Sequence, residues 1–371
     1  MSEANADRPS ASESGGDGVR GRSPRAGMSA TAATTYAGFR VHRGTTASRV
    51  FSVVALGVMA MLLTLPSWGS DSLQRKIFEL MILLAMAQMW NLLAGFGGVV
   101  SVGQQAFVGL GAYSMIFFVN VHGQNLYWSI PLAALVAAVI SVPIGLVAFR
   151  LRGSYFAIGT WVLAEVCSKV MVTQKKLGAG DGASLKVKGY SKAVRLDMAY
   201  WWALVVGIGS ILVAYLVLRS RQGLQMQAIR DNEEGARGLG ANVYRIRFII
   251  WVVAAFWTGL TAATYYTWQL RVQPTGTGGA FSVILWTAPI IFIVVIGGLG
   301  TIEGPIIGAV LFYFLRDAFK DYSTVYLIAT GVVAIAVALL LQSGLWGWLR
   351  RRTGIDLFPV RRRLVSPDSP N

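Results

Sequence analysis

Ten apolar runs, each near the length that crosses a lipid bilayer, restrict the fold of this chain more than any motif does. They fall at about residues 50–68, 77–95, 99–119, 126–149, 155–173, 199–218, 247–269, 281–297, 303–319 and 324–343. A spanning helix needs roughly 17–25 predominantly apolar residues. Hydrocarbon offers no water to satisfy backbone N–H and C=O groups, so each run must close its hydrogen bonds within itself. The expectation is an all-α, polytopic integral membrane protein of about ten transmembrane helices. The third and ninth runs are glycine-rich and read as continuous spans or as broken, re-entrant ones. Only 13% of the residues are charged, against about 25% in soluble domains.

The net charge of +16 would point to nucleic acid in a soluble protein. Here the arginines gather at the ends of apolar runs, as the positive-inside rule requires, and nucleic-acid binding is set aside. Ten spans place both termini on one side, with Arg40, Arg43, Arg49, Arg150, Arg152, six arginines in 219–247, and the arginines of 350–352 and 361–363. That side is expected to be cytoplasmic; the basic loop from Lys175 to Arg195 is the one that argues against it. Residues 1–45, rich in Ser, Gly, Ala, Arg and Asp, read as a disordered tail, within which Met28 is an alternative start. Residues 350–371 read as a basic tail. Cys167 stands alone, so no disulfide forms within the chain. His42 and His122 lack neighbouring ligand residues, and neither a metal nor another cofactor is expected.

One segment breaks the apolar pattern. Residues 219–247, RSRQGLQMQAIRDNEEGARGLGANVYRIR, are far longer than the two to eight or so residues that usually join adjacent helices. Leu224, Ala228, Ile229, Ala236 and Leu239 recur at helical spacing, and Gly240 follows where a helix C-cap belongs. The spacing predicts one amphipathic helix over 224–240, with Glu233 and Arg237 paired at i,i+4. An interfacial helix resting in lipid headgroups would carry Lys and Arg above Trp or Phe. This one carries three acids, no aromatic residue, and small residues at Ala228, Gly235, Ala236, Gly238 and Gly240, which favour close approach of another protein.

Other polar positions lie within apolar runs. Ser101, Gln104 and Gln105 sit among the glycines of 91–113, lining a wet cavity or bonding across helices at about 0.6 kcal/mol each. Gly300, Gly304 and Gly308 recur every four residues, a stripe of small residues for helix packing. Glu165 lies mid-run, where an acid costs about 2.5–3.5 kcal/mol on insertion scales. Lys169, one turn on, offers a structural ion pair; a role in a translocation path or gate is the alternative. The loop 173–185 is a plain connection or a contact for a solute-delivering protein. No Gly-Lys-Ser/Thr phosphate loop and no nucleophile–base set occurs, so the chain is not expected to be an enzyme. Any ATP-driven motor would be a separate chain.

Four stretches resemble, in the same order, the permeases of bacterial ABC importers of the branched-chain amino-acid (leucine, isoleucine, valine) family. AIRDNEEGARGLGANVYRIR (228–247) resembles the coupling segment. NLLAGFGGVVSVGQQAFVGLGAY (91–113), LRGSYFAIGTWVLAEV (151–166) and IGGLGTIEGPIIGA (296–309) resemble further signatures. The resemblance spans about residues 50–343; Gln104 stands where the family often has His. It implies the second type of permease subunit in a bacterial inner membrane. Its partners would be another permease subunit, two cytoplasmic ABC ATPases and an extracytoplasmic solute-binding protein. The coupling residues would be Ala228, Arg230, Asp231, Asn232, Glu233, Ala236, Leu239 and Gly240. The substrate would be a branched-chain or related amino acid, with urea or a short amide as the alternative. An ion-coupled secondary transporter is the rival class, with Glu165 and Lys169 its only candidate coupling groups.

Overall fold

The computed structural model describes residues 40–42, 46–319 apart from 188 and 277, isolated positions between 328 and 341, and residues 343–353, 357–358 and 363–365. The chain divides into two compact units. In the smaller, strand β1 (Arg40–His42) pairs antiparallel with β4 (Arg363–Val365), Arg40 opposite Val365. This strand departs from the wholly irregular N-terminal tail expected up to residue 45. Residues 1–39 lie outside the described residues.

The larger unit, residues 44–360, is a bundle of helices. In chain order these are α1 (Thr46–Trp68), α2 (Asp71–Asn91), α3 (Gln104–Ile116), α4 (Leu126–Ala148), α5 (Ser154–Val172) and α6 (Lys192–Arg219). There follow α7 (Arg221–Asp231), α8 (Glu233–Gly238), α9 (Val243–Gln269), α10 (Ala288–Gly297), α11 (Glu303–Ala318) and α12 (Gly344–Thr353). The helix starts are written locally. Ser70, Asn125, Ser191 and Asn242 each accept a backbone N–H of the first turn, closing one of the orphan donors there. Among the described residues, five helices are long and apolar enough to cross a membrane by themselves: α2 with its continuation to Phe96, α4, α5, α6 and α9. The tenth apolar run falls largely outside the described residues.

The α2 helix runs through the centre and is mostly enclosed, with α6, α9, α10 and α11 packed round it. By contrast α5 lies at the rim and buries little beyond Phe156, Thr160, Ala164 and Ser168. Glycines let helices cross closely here. A Cβ at Gly111 of α3 would run into the Gly259 backbone of α9, and a Cβ at Gly259 into Ala137 of α4. At one end Glu79 takes ion pairs from Arg75 (3.0 Å) and from Arg316, fastening α2 to α11. On that same side the 173–190 loop is tied down: β2 (Ala183–Ser184) pairs with β3 (Arg271–Val272), and Asn120 donates to Ser184 (2.9 Å) while accepting from the Lys186 N–H (2.8 Å).

Both glycine-rich runs resolve into distinct shapes. The third is broken: residues 97–103 have no helical structure, lie mostly buried, and deliver the chain into α3 only at Gln104. The ninth forms a continuous helix from Glu303 to Ala318. The three-glycine stripe does not exist as such, because the helix begins after Gly300. Gly304 and Gly308 alone face α10, close to the carbonyls of Gly298 and Ile293.

Candidate functional site

The polar segment folds as two helices rather than one. Residue Asn232 adopts extended backbone (φ −155°, ψ 103°) between α7 and α8, and its side chain accepts the Gly235 N–H at 2.9 Å. Asn is a strong N-cap, and Glu233 and Glu234 in the first turn complement the helix dipole. The second helix ends as expected. Gly240 takes φ +84°, donates to Arg237 (2.9 Å), and Ala241 donates to Ala236 (3.0 Å). These are the paired bonds of a Schellman motif, whose left-handed residue favours glycine.

The break also redistributes the faces. Met226, Ile229 and Ala236 turn inward against Leu92, Leu93, Phe96 and Ile302. Leu224, Ala228, Asp231 and Asn232 are exposed, and Leu239 is 89% exposed at the tip. Ala236, expected on the outward contact surface, therefore packs into the bundle.

Two charged links join this segment to the spans. Glu233 pairs with Arg237 (2.6 Å) and with Arg247 (2.9 Å). Arg247, in the first turns of α9, also donates its Nε–H to the Gly97 carbonyl (3.0 Å). Burial would raise the Glu233 carboxyl pKa; the charge of Arg247 and the hydrogen bonds from Arg247 and Arg237 outweigh it and hold the group below the usual carboxylate range. The second link is Arg230. Its guanidinium lies against Gly300, where a Cβ would overlap it. Gly300 has φ +73°, a conformation that only glycine takes at little cost.

Both links end on backbone breaks, and the breaks are themselves tied. Asn91, fully buried at the end of α2, accepts the Gly300 N–H (2.8 Å) and donates to the Thr301 carbonyl (2.8 Å). Past Asn91 the chain widens into a π-helical turn, Leu92–Phe96, before the 97–103 break. Asn91 and Arg247 escaped the sequence reading. Their signal was there, an amide inside an apolar run and an arginine opening a span, but their partners lie 209 and 150 residues away.

The remaining positions separate. Ser101 serves its own loop: its carbonyl accepts from Trp90 (2.8 Å) and its hydroxyl from the Gly103 N–H (3.2 Å). Gln104 donates to Thr258 and Gln105 accepts from Thr287. All three are buried, and the two glutamines bond across the chain. They are not brought together with Glu165, which lies on the outer face of α5 and pairs with Lys169 at 3.1 Å.

A family model described as "Branched-chain amino acid transport system / permease component" matches residues 73–351. The chain is 23% identical over 333 residues to the high-affinity branched-chain amino acid transport system permease protein LivM of Salmonella typhimurium, covering 76% of this chain and 77% of that protein. It is 24% identical over 189 residues to a nucleoside ABC transporter permease protein of Lactococcus lactis, covering 46% and 59%. It is 26% identical over 255 residues to an autoinducer 2 import system permease protein of Salmonella choleraesuis, covering 67% and 71%. No solved structure matches it with significance.

Proposed function

The chain belongs to the permease-component family of branched-chain amino acid transport systems, and from that premise we propose that it imports branched-chain or related amino acids across a bacterial inner membrane. It is a transport subunit of an ABC system. In this reading both termini and the α7–α8 segment are cytoplasmic. A second permease subunit completes the path, two ATPase chains supply the work, and an extracytoplasmic binding protein delivers the solute.

One observation supports the coupling role above others: the polar segment is bonded at once to the Gly97 carbonyl and against Gly300. An ATPase gripping the exposed Leu224, Ala228, Asp231 and Leu239 would move α7–α8. Arg230 and the Glu233–Arg247 pair would then carry that displacement into the two spans where regular backbone is interrupted. Packed helices answer such a shift by switching between discrete arrangements rather than by bending continuously.

The substrate assignment rests on the family description and on the longer-covering relatives. The test is co-purification followed by uptake. Tagged permease should retain two ATPase chains, and Leu239→Asp, which places a charge on the exposed tip, should release them while the permease stays in the membrane. Reconstituted complex should import radiolabelled leucine and not urea; urea uptake without leucine uptake would refute the substrate.

A further inference from the structure

The outer face of α5 carries an ion pair where lipid should be. Glu165 stands 11 residues into the helix and 7 from its end, about 10 Å below the nearer end at 1.5 Å per residue. Its side chain is 53% exposed and that of Lys169 66% exposed. The same face shows Ile158, Trp161, Val162 and Val166, while Thr160, Ala164 and Ser168 point into the bundle. The stripe is therefore outward by construction, and among the described residues the two charges pair with each other on that exposed face.

Ionisable groups at this depth face water or a protein cavity rather than hydrocarbon. A dry contact with another subunit would desolvate both charges and gain little from pairing them. The acceptable surrounding is a water-filled path. We infer that this face of α5 walls the solute path, and that Glu165 and Lys169 exchange their mutual contact for the ammonium and carboxylate of a zwitterionic amino acid. This rests on the importer reading above and deepens it. The exchange leaves every charge paired throughout: Lys169 takes the carboxylate, Glu165 the ammonium. The neighbouring Ile158, Trp161, Val162 and Val166 give an aliphatic side chain an apolar bed. A solute without charges, urea among them, has no use for the pair.

The test uses the assembled complex in proteoliposomes with its binding protein. In a Cys167→Ala background, Val162→Cys, on the same outward face and leaving the ion pair intact, should react with a water-soluble cationic thiosulfonate, and saturating leucine should protect it. Val139→Cys, on the exposed face of α4, should stay unreactive. Unreactive Val162→Cys, or reaction without protection, overturns the inference. Separately, Glu165→Gln and Lys169→Met should each lower leucine uptake about tenfold or more, as loss of a charge-assisted contact implies, with ATP hydrolysis preserved. Normal uptake in both variants overturns this inference and leaves the importer reading standing. A wild-type complex that hydrolyses ATP and imports no amino acid overturns the importer reading itself.

Discussion

Removing Arg247 should disconnect hydrolysis from transport without detaching the motor. In Arg247→Ala two contacts vanish together, the 2.9 Å pair with Glu233 and the 3.0 Å bond to the Gly97 carbonyl. The pair is partly exposed and is worth about 0.5–1 kcal/mol. The bond from a charged donor to a carbonyl is worth about 1.5–3 kcal/mol. Allowing for overlap, about 2–3 kcal/mol of coupling is lost, a factor of about 30–150. Glu233 keeps Arg237 as partner (2.6 Å), so α8 stays formed and the exposed docking face is unchanged. The assay pairs leucine uptake with ATP hydrolysis in the same proteoliposomes. Uptake should fall by that factor while hydrolysis stays near wild type. Arg247→Lys should fall between, since an ammonium is a point charge and lacks the planar fork that serves two acceptors. Uptake near the wild-type rate, or hydrolysis and uptake falling in parallel, would refute transmission through Arg247.

Acid should break the same link, at a pH set by its own chemistry. The Glu233 carboxyl is held below the ordinary value, so its stabilisation is fully present above about pH 4.3, the unperturbed glutamate value, and is lost as pH falls through the lower folded value. Thermal stability in detergent should therefore show no Glu233-dependent change from neutral pH down to the unperturbed value; a wild-type loss below it should be smaller in Glu233→Gln. Two glycine substitutions should act with opposite sign. Gly111→Ala drives a Cβ into the Gly259 backbone and should cost about 1–3 kcal/mol. Gly57→Ala meets open space on α1 and should stabilise by up to about 1 kcal/mol. Unfolding midpoints of the purified subunit decide both.

Spans were legible because hydrocarbon imposes a length and an apolar composition on each of them. The expected start and end at 126–149, 155–173 and 303–319 fall within a residue or two of α4, α5 and α11. The end of the polar segment was legible too, since Gly240 is a local signal. Its break at Asn232 was equally local, an N-cap followed by two acids, but the apolar spacing through 224–239 masked it. The Gly300 stripe misled for a different reason: regular spacing presumes one helix, and the chain bends between Gly298 and Ile302. Arg247, Asn91 and Arg230 acquire their meaning only from backbone groups brought beside them by packing, which no spacing rule encodes.

The buried Asn91 amide spends both its oxygen and its nitrogen on one two-residue stretch, Gly300 and Thr301. The interruption after α2 and the one before α11 are thereby spliced into a single joint. A displacement of one should be felt at the other through these two bonds. A bulky group placed at Gly300, where a Cβ would already meet the Arg230 guanidinium and the Gly95 carbonyl, should therefore disturb both interruptions at once.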